Sequence, residues 1–282
     1  MNTQSLVISC PDKKGIVNVV TSFLLEQSVN IVGLEQHIED EYFFMRVEWE
    51  KLDSFFKNEP DFFHAFSGVQ KQFEMEIYLD LNERKKQLGL LCSKELHCVF
   101  EVLAQVHSGE LHADISYIMS NSESASEIAK AFHIPFYYIP SKKGLNFEHE
   151  SKYIEIIKNN PTDLIALARY MKVVSEDFIK KADQKIINVH HSFLPSFIGA
   201  TPYDDAYDRG VKLIGATAHY VTKDLDQGPI IEQEVLRVAH NHTIENLKIK
   251  GRTSEKRVLS QAINKQIQNK IIVFKNRSIV FK

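Results

Sequence analysis

Residues 187–195 read INVHHSFLP, a strand-like apolar run that carries Asn188 and His190 and breaks at Pro195. Successive side chains of a strand point to opposite faces, so residues two apart share one face. Asn188 and His190 are therefore predicted to lie on the same face at the end of a strand. The pair alone leaves core packing, metal binding and catalysis open.

Upstream of this run, apolar segments alternate with amphipathic ones. QLGLLCS is followed by KELHCVFEVLAQVHSG, and DISYIMS is followed by SESASEIAKAFH. This alternation predicts an α/β fold with a mostly parallel, Rossmann-like sheet covered by helices on both faces. Ligands of such sheets bind outside the carboxyl ends of the strands, where loops converge. Asn188 and His190 end one of these strands, which favours a functional role.

The first eighty residues follow another order. SLVISC, VNIVGLEQHIE, YFFMRVEWE and FEMEIYLDL have strand patterns, and the two intervening amphipathic segments have helical spacing. The order predicts a ferredoxin-like βαββαβ unit with both helices on one face of its sheet. The polar stretch NERKKQ marks the boundary, which predicts domains at 1–83 and 84–282. The chain is predicted to finish with a long helix and a hairpin that turns at Lys275 and Asn276.

Composition limits the class of protein. The chain has 282 residues, 44% of them hydrophobic and 25% charged, with a net charge of -3. Such a mixture lacks the basic surface that releases counterions from nucleic acid, so no nucleic-acid partner is expected. No apolar run approaches a membrane span and no signal-peptide pattern occurs, so no membrane association is expected. Cys10, Cys92 and Cys98 form no CxxC pair, and reduced thiols in a cytoplasmic protein are the simplest explanation.

Three short motifs follow one another in the second half of the chain. N-x-H-x-S-x-L-P begins at Asn188, G-A-T-x-H begins at Gly215, and D-x-G-P-I-I begins at Asp226. Taken singly, each has a structural explanation, because strand-end Asn, lone His and turn Asp residues commonly serve backbone hydrogen bonding. Together, and in this order, the motifs resemble those of the folate-dependent formyltransferases.

The resemblance extends over nearly the whole chain, from about Leu6 to the final IVF. CPDKKGIVNVVTSFL, NIV and FFMRVEWE resemble an ACT domain, a small regulatory βαββαβ fold. SKELHC, SGEL, IPFYYIP, ALARYM, HHSFLPSFIGATPY and EKRVL are similar to the formyltetrahydrofolate deformylase family. This resemblance implies hydrolysis of 10-formyltetrahydrofolate to tetrahydrofolate and formate, which supplies formate for purine synthesis and balances one-carbon pools. It implies a folate substrate and no cofactor.

Two other functions stay open at this point. The first is formyl transfer to an amine acceptor at the same site. The second is a non-catalytic sensor of folate or an amino acid, in which the ACT-like domain is the functional part. Retention of Asn188, His190 and Asp226 weighs against the sensor.

The resemblance implies that Asn188, His190 and Asp226 are the catalytic residues. Attack of water on a formamide-like carbon creates a negative oxygen, to which the Asn188 amide can donate. An imidazole, whose unperturbed pKa is about 6.5, suits His190 to proton transfer. Asp226 can orient the ring or the attacking water. Strand alternation places His191 on the face opposite His190, unless the strand has already ended.

The resemblance also implies residues that bind the folate. These come from the run 168–174, the loop 223–228 and the first motif: Arg169, Tyr170, Met171, Val173, Ser192, Lys223 and Gly228. His219 is expected on the following strand, in the core or in support of the catalytic residues, and contact with the same crevice is the alternative. For Tyr170 and its neighbours, a buried strand is the structural alternative.

The first strand-to-helix loop, residues 92–97, contains no glycine. An enzyme that formylates a phosphorylated amine would favour glycines there, so that backbone amides close on the phosphate. Side chains of this loop are expected to fill the acceptor space and leave room for water. An anion site at Ser93 and Lys94 remains the alternative.

Metal and partner expectations complete the sequence prediction. No metal is expected, because neither HExxH nor another spaced ligand set occurs among the histidines. The resemblance implies an amino-acid effector, glycine or methionine, near Asp12 to Gly15, and a homo-oligomer is expected. Assembly alone is the alternative role for the N-terminal domain.

Overall fold

The computed structural model describes residues 3–52, 55–56, 58–140, 147–183, 185–196 and 202–282. These residues form two compact units. The first contains the described residues up to Arg84, with Asn269–Ile272 and Val280–Lys282. The second contains those from Lys85 to Gln268, with Val273–Ile279.

The first unit has the βαββαβ order expected from the sequence. Its elements are β1 (Thr3–Pro11), α1 (Ile16–Glu26), β2 (Ile31–Glu39), β3 (Tyr42–Glu50), α2 (Glu59–Phe73) and β4 (Glu76–Asp80). The strands form an antiparallel sheet in the order β2-β3-β1-β4. Alternate residues of β1 and β3 pack with the i, i+4 apolar residues of α1 and with the phenylalanines of α2. The Asn58 side chain accepts the backbone N–H of Asp61 and so begins α2.

The ends of the C-terminal hairpin group with the first unit, whereas the sequence prediction assigned the whole segment to the second domain. The hairpin consists of β12 (Ile271–Phe274) and β13 (Arg277–Val280). Asn269 Nδ2 donates to Asp80 Oδ2 at 2.5 Å, and the backbone N–H of Lys282 donates to Glu35 Oε2 at 2.9 Å. These bonds join residues about 190 or more positions apart in sequence, so no local pattern reveals them.

The second unit alternates strands and helices. Its elements are β5 (Lys86–Cys92), α3 (His97–Ser108), β6 (Ala113–Ser120), a 3-10 turn (Glu123–Ala125), α4 (Ser126–Ala131), β7 (Phe136–Tyr138), α5 (Glu150–Asn159), β8 (Leu164–Ala168), α6 (Glu176–Ala182), β9 (Lys185–His190), α7 (Pro202–Asp208), β10 (Leu213–Tyr220), β11 (Ile230–Arg237) and α8 (Ile244–Ile267). The predicted mostly parallel sheet is present. Only the pairs β9–β10 and β10–β11 are antiparallel among its seven strands in the described residues.

The strand order β11-β10-β9-β8-β5-β6-β7 determines where the site forms. The chain runs outward from β5 to β6 and β7, then returns to the other side of β5 as β8 and β9. Loops that follow β5 and β8 therefore leave in opposite directions and open a crevice at their carboxyl ends. β8, with the sequence LIALA, is buried throughout, because it pairs with β9 on one edge and β5 on the other and both faces of the sheet are covered.

In the described part of the chain, every helix is too short or too polar to span a membrane.

Candidate active site

Strands β9 and β10 position three polar side chains of the second unit. Asn188 and His190 are two apart at the end of β9, and the register of the antiparallel pair places His219 of β10 opposite Asn188. The ring Nε2 of His219 lies 3.3 Å from Asn188 Nδ2. The sheet therefore joins the first two motifs found in the sequence.

Asp226 comes from the turn that connects β10 to β11. Its carboxylate lies between two histidines, with Oδ2 3.3 Å from His190 Nδ1 and Oδ1 3.6 Å from His219 Nε2. Asp226 adopts a left-handed backbone conformation, with φ of 54°, which Asp tolerates better than most residues. The turn thus brings the third motif to the end of β9.

The hydrogen bonds of His219 define its tautomer. Its Nδ1 lies 2.9 Å from the carbonyl oxygen of Tyr220, which can only accept, so Nδ1 carries a hydrogen. In the neutral ring Nε2 is then an acceptor and receives one hydrogen from the Asn188 amide. This arrangement presents Nδ2 of Asn188 in a fixed orientation and leaves its second hydrogen for another acceptor.

The charge of Asp226 follows from the groups around it. Burial raises the pKa of this carboxyl, but the nearby imidazoles of His219, His190 and His191 outweigh that effect, so the pKa lies below its usual value. Asp226 is therefore ionised near neutral pH. An ionised carboxylate accepts the Nδ1 hydrogen of His190 and directs the opposite ring nitrogen, Nε2, away from itself.

A cavity of about 230 Å³, open to solvent, adjoins these side chains. It is lined by Leu167, Arg169, Tyr170, Met171, Lys172, Val173, Val174, Asn188, Val189, His190, His191, His219, Val221, Thr222, Lys223, Leu225 and Asp226. The three predicted catalytic residues therefore share one cavity with five of the predicted folate-binding residues: Arg169, Tyr170, Met171, Val173 and Lys223.

Three sequence expectations differ from this geometry. Ser192 and Gly228 are not in the lining of this cavity as the described residues define it. Ser192 donates to the carbonyl of Ser196 and lines a neighbouring cavity instead. His191 lies beside His190 in the cavity lining, since β9 ends at His190 and strict alternation stops there.

Comparison with known proteins identifies the family. Residues 86–263 match the formyl transferase family. A formyltetrahydrofolate deformylase of Bacillus subtilis is 43% identical over 279 residues, which cover 98% of this chain and 93% of that protein. The chain belongs to the formyltetrahydrofolate deformylase family.

Solved structures agree with this membership. A formyltetrahydrofolate deformylase from Pseudomonas syringae has a TM-score of 0.93 and 37% identity, and the match covers 99% of this chain and 94% of that one. A phosphoribosylglycinamide formyltransferase from Anaplasma phagocytophilum has a TM-score of 0.64 and 30% identity, covering 71% of this chain and 96% of that one. The second match extends over less of the chain than the first.

Beside the cavity, this deformylase family member has a buried cluster of four side chains that the sequence prediction missed. Glu255 of α8, only 1% exposed, accepts from His97 Nε2 at 2.7 Å and from the Tyr203 hydroxyl at 2.5 Å. Arg169 Nε lies 3.3 Å from the same carboxylate. A signal existed in the sequence: Glu255 occupies the apolar stripe of α8 that continues through Val258, Leu259 and Ala262.

Burial raises the pKa of Glu255, but the His97 hydrogen bond, the Arg169 charge and the Tyr203 hydroxyl lower it to about 2 overall. The folded state therefore favours the ionised form. The stability that this form contributes is complete above the unfolded pKa of about 4.5 and is lost as pH falls toward 2.

We expect Glu255→Gln to lose on the order of 3 kcal/mol of unfolding free energy at pH 7, with the difference from wild type shrinking between pH 4.5 and 2. Denaturant unfolding across this pH range measures it. Glu245→Gln, an exposed position on the same helix, is the matched control, and a pH-independent difference for Glu255→Gln would contradict the assignment.

Metal-type ligands also meet in this cluster. Ligand atoms of His97, Cys98 and Glu255 lie within 4.8 Å of one another. The Glu255 carboxylate already interacts with Arg169, His97 and Tyr203, and a cation there would stand beside a guanidinium. Burial also raises the pKa of the Cys98 thiol, which disfavours the thiolate that binds metals. The arrangement fits an internal ion-pair cluster.

Gly228 has a packing role in the turn that carries Asp226. A Cβ at this position would lie 1.8 Å from the carbonyl oxygen of Tyr220, where β10 and the turn approach each other. We expect Gly228→Ala to destabilise the protein by roughly 1–3 kcal/mol and to lower activity, because the turn must shift. Thermal unfolding and turnover measure the two effects. Gly68→Ala, where a Cβ meets nothing within 4 Å, is the control, and equal behaviour of the two variants would contradict this role.

Proposed function

We propose that this protein hydrolyses 10-formyltetrahydrofolate to tetrahydrofolate and formate. One observation carries the proposal: an amide donor, an imidazole and an ionised carboxylate adjoin one cavity in a chain whose relatives are named formyltetrahydrofolate deformylase. Asn188, His190 and Asp226 are the proposed catalytic residues.

The amide of Asn188 stabilises the negative oxygen formed when water attacks the formyl carbon. Nδ2 already donates one hydrogen to His219 Nε2, and the second hydrogen is the one directed to the substrate oxygen. Because the amide is held before the reaction, little reorganisation is needed as charge develops.

His190 transfers the protons. Its Nδ1 faces Asp226 at 3.3 Å, so Nε2 is the atom that takes a proton from water and returns it to N10 of the departing folate. Asp226 orients this ring and stabilises its charged form. The lowered pKa of Asp226 makes its carboxylate the weaker base, which favours His190 as the first proton acceptor. No bound cofactor is needed for these steps.

The folate is proposed to occupy the apolar part of the cavity. Met171, Val173, Val174, Val221 and Leu225 supply apolar surface there, and Lys223 lies at the same lining. The backbone N–H of Met171 donates to Ser93 Oγ at 3.0 Å, which ties the cavity wall to the loop after β5. Apolar walls with few polar groups suit an aromatic ring system.

The first unit is proposed to be an ACT-type regulatory domain that binds an amino acid, glycine or methionine. Its turn 12–15 precedes α1, where Gly15 has φ of 97° and the backbone N–H of Asp12 donates to Glu41 O at 2.8 Å. We also propose that the protein forms a homo-oligomer. We further propose that it works in the cytoplasm, where it supplies formate for purine synthesis; its three free, buried cysteines are consistent with that location.

The test is formate release from 10-formyltetrahydrofolate with no amine present, with and without glycine or methionine. The proposal predicts stoichiometric formate and tetrahydrofolate. If the substrate stays intact until an amine is added and is then consumed, the protein is a transferase. If the protein binds the folate without turnover, it is a sensor. A rate unchanged by either amino acid would overturn the proposed effectors alone.

A further inference from the structure

We propose that Arg169, held by Glu255 together with His97, closes the acceptor side of the catalytic cavity and thereby makes water the acceptor of the formyl group. This inference rests on the proposed function. It assigns Arg169 a role in acceptor specificity, by occupying the space that an amine would need, and makes His97 and Glu255 positioning residues.

The backbone of Arg169 points to this role. Arg169 follows β8 directly and has φ of 61°, the left-handed region in which a side chain is disfavoured and glycine is not. Non-glycine residues held in this region are found at sites where the surrounding structure imposes them. Here the surroundings include the ion pair with Glu255, which stabilises the Arg169 side chain at a position where glycine would adopt the backbone conformation with less strain.

The Arg169 side chain is enclosed and yet belongs to the cavity wall. It is 13% exposed and lines the same cavity as Asn188, His190 and Asp226. Its neighbour Met171 is bonded through its backbone N–H to Ser93, so the end of β8 lies against the loop after β5. A glycine at this position would remove the side chain from the wall.

His97 occupies the start of helix α3, where that loop ends. Its ring is 14% exposed and is bonded to Glu255 at 2.7 Å, so the carboxylate stands at the first turn of the helix. Backbone amides at a helix start favour anions, and a carboxylate of the protein held there opposes a phosphorylated ligand. The cluster thus disfavours such an acceptor electrostatically as well as by volume.

The same cluster reaches the catalytic histidine from another direction. Tyr203, which donates to Glu255, has its ring 5.8 Å from that of His191. The His191 ring is in turn 5.2 Å from the His190 ring. Glu255 therefore contacts Arg169 of the cavity lining directly and, through Tyr203 and His191, the surroundings of His190.

Opening this wall would let an amine replace water without any new reactant. The amine nitrogen would bond to the formyl carbon, the bond from that carbon to folate N10 would break, and the proton lost by the amine would pass through His190 to N10. The products would be a formamide of the amine and tetrahydrofolate. The amine must react as the neutral base.

The experiment measures how the formyl group divides between water and glycinamide, a small primary amine. Wild type, Arg169→Gly, His97→Ala and the double variant are each given 10-formyltetrahydrofolate with rising glycinamide, and N-formylglycinamide and formate are quantified. The matched control is Asp183→Gly, which relieves a left-handed residue (φ 51°) at an exposed helix end. The ratio of products does not depend on how much total activity a variant keeps.

We expect the ratio of formylglycinamide to formate to rise about tenfold or more in Arg169→Gly, the change that about 1.4 kcal/mol of relative barrier produces. The double variant should exceed it, and Asp183→Gly should match wild type. Folded variants that turn over substrate with the wild-type ratio would overturn the inference. If Arg169→Gly does not fold, His97→Ala tests the inference, because it removes one of the groups that hold Glu255 and so loosens Arg169; the ratio should rise in the same direction.

Wild type offers a second measurement that needs no variant. At equal concentrations of free base, ammonia, which is hardly larger than water, should capture more formyl group than glycinamide, or neither amine should capture any. Measurable formyl transfer to glycinamide, at or above the level of transfer to ammonia, would overturn the inference. Absence of formate release by wild type in water alone would instead contradict the proposed function.

Discussion

Asp226→Asn is expected to lower kcat for formate release by about 10⁴-fold, the loss typical when a carboxylate that orients a catalytic histidine becomes an amide. The carboxylate of Asp226 faces His190 Nδ1 through one oxygen and His219 Nε2 through the other. An asparagine can turn its NH₂ group to the acceptor Nε2 of His219 and its oxygen to His190 Nδ1, so the His190 ring can keep its orientation. It carries no charge, however, and therefore no longer stabilises the imidazolium that forms when His190 takes a proton.

Single-turnover release of formate measures this loss without interference from product release. Asp224→Asn is the matched control, because Asp224 is an exposed aspartate two residues earlier in the same turn. The control should retain wild-type kcat. A folded Asp226→Asn protein with a kcat within tenfold of wild type would remove Asp226 from the mechanism.

Asn188→Ala is expected to lower kcat by about 10²–10³-fold, with a smaller change in KM. The amide donates to an oxygen that becomes negative only as the reaction proceeds, so its loss affects the transition state more than the bound substrate. Removal of the Asn188 side chain also removes the amide that donates to His219 Nε2, and this ring nitrogen lies beside Asp226.

Two further variants separate these effects. Asn188→Asp keeps the size of the side chain but places a negative charge beside the developing oxyanion, and we expect at least as large a loss of kcat. Asn160→Ala is the control, since the Asn160 amide donates to Ile156 O at the end of α5 and is not part of the cavity lining. A change in KM alone for Asn188→Ala would assign the residue to ground-state binding.

Local patterns predicted most of the architecture. The alternation of apolar and amphipathic segments indicated the mostly parallel sheet, and the period of two along β9 placed Asn188 and His190 together. The hairpin turn at Lys275 and Asn276 was also recognisable, since β12 ends at Phe274 and β13 begins at Arg277. These features depend on residues that are close in sequence.

The arrangement around the site depended on information that local patterns do not contain. Asp226 was identified by family resemblance, because a turn residue carries no sign of the histidines that face it. Glu255 lies 158 residues from His97, and only the packing of α8 against α3 brings them together. The role of Arg169 likewise depends on a backbone angle that its sequence context, ALARYM, does not reveal.

Catalysis by Asn188, His190 and Asp226 together is tested most directly by single-turnover formate release, without any amine, from wild type, His190→Ala and the triple variant Asn188→Ala, His190→Ala, Asp226→Asn. Groups that act as a unit on one carbon are strongly non-additive. We expect the folded triple variant to fall to nearly the same rate as His190→Ala alone, while wild type releases one formate per substrate. A folded triple variant that retains the wild-type rate would contradict catalysis by these three residues.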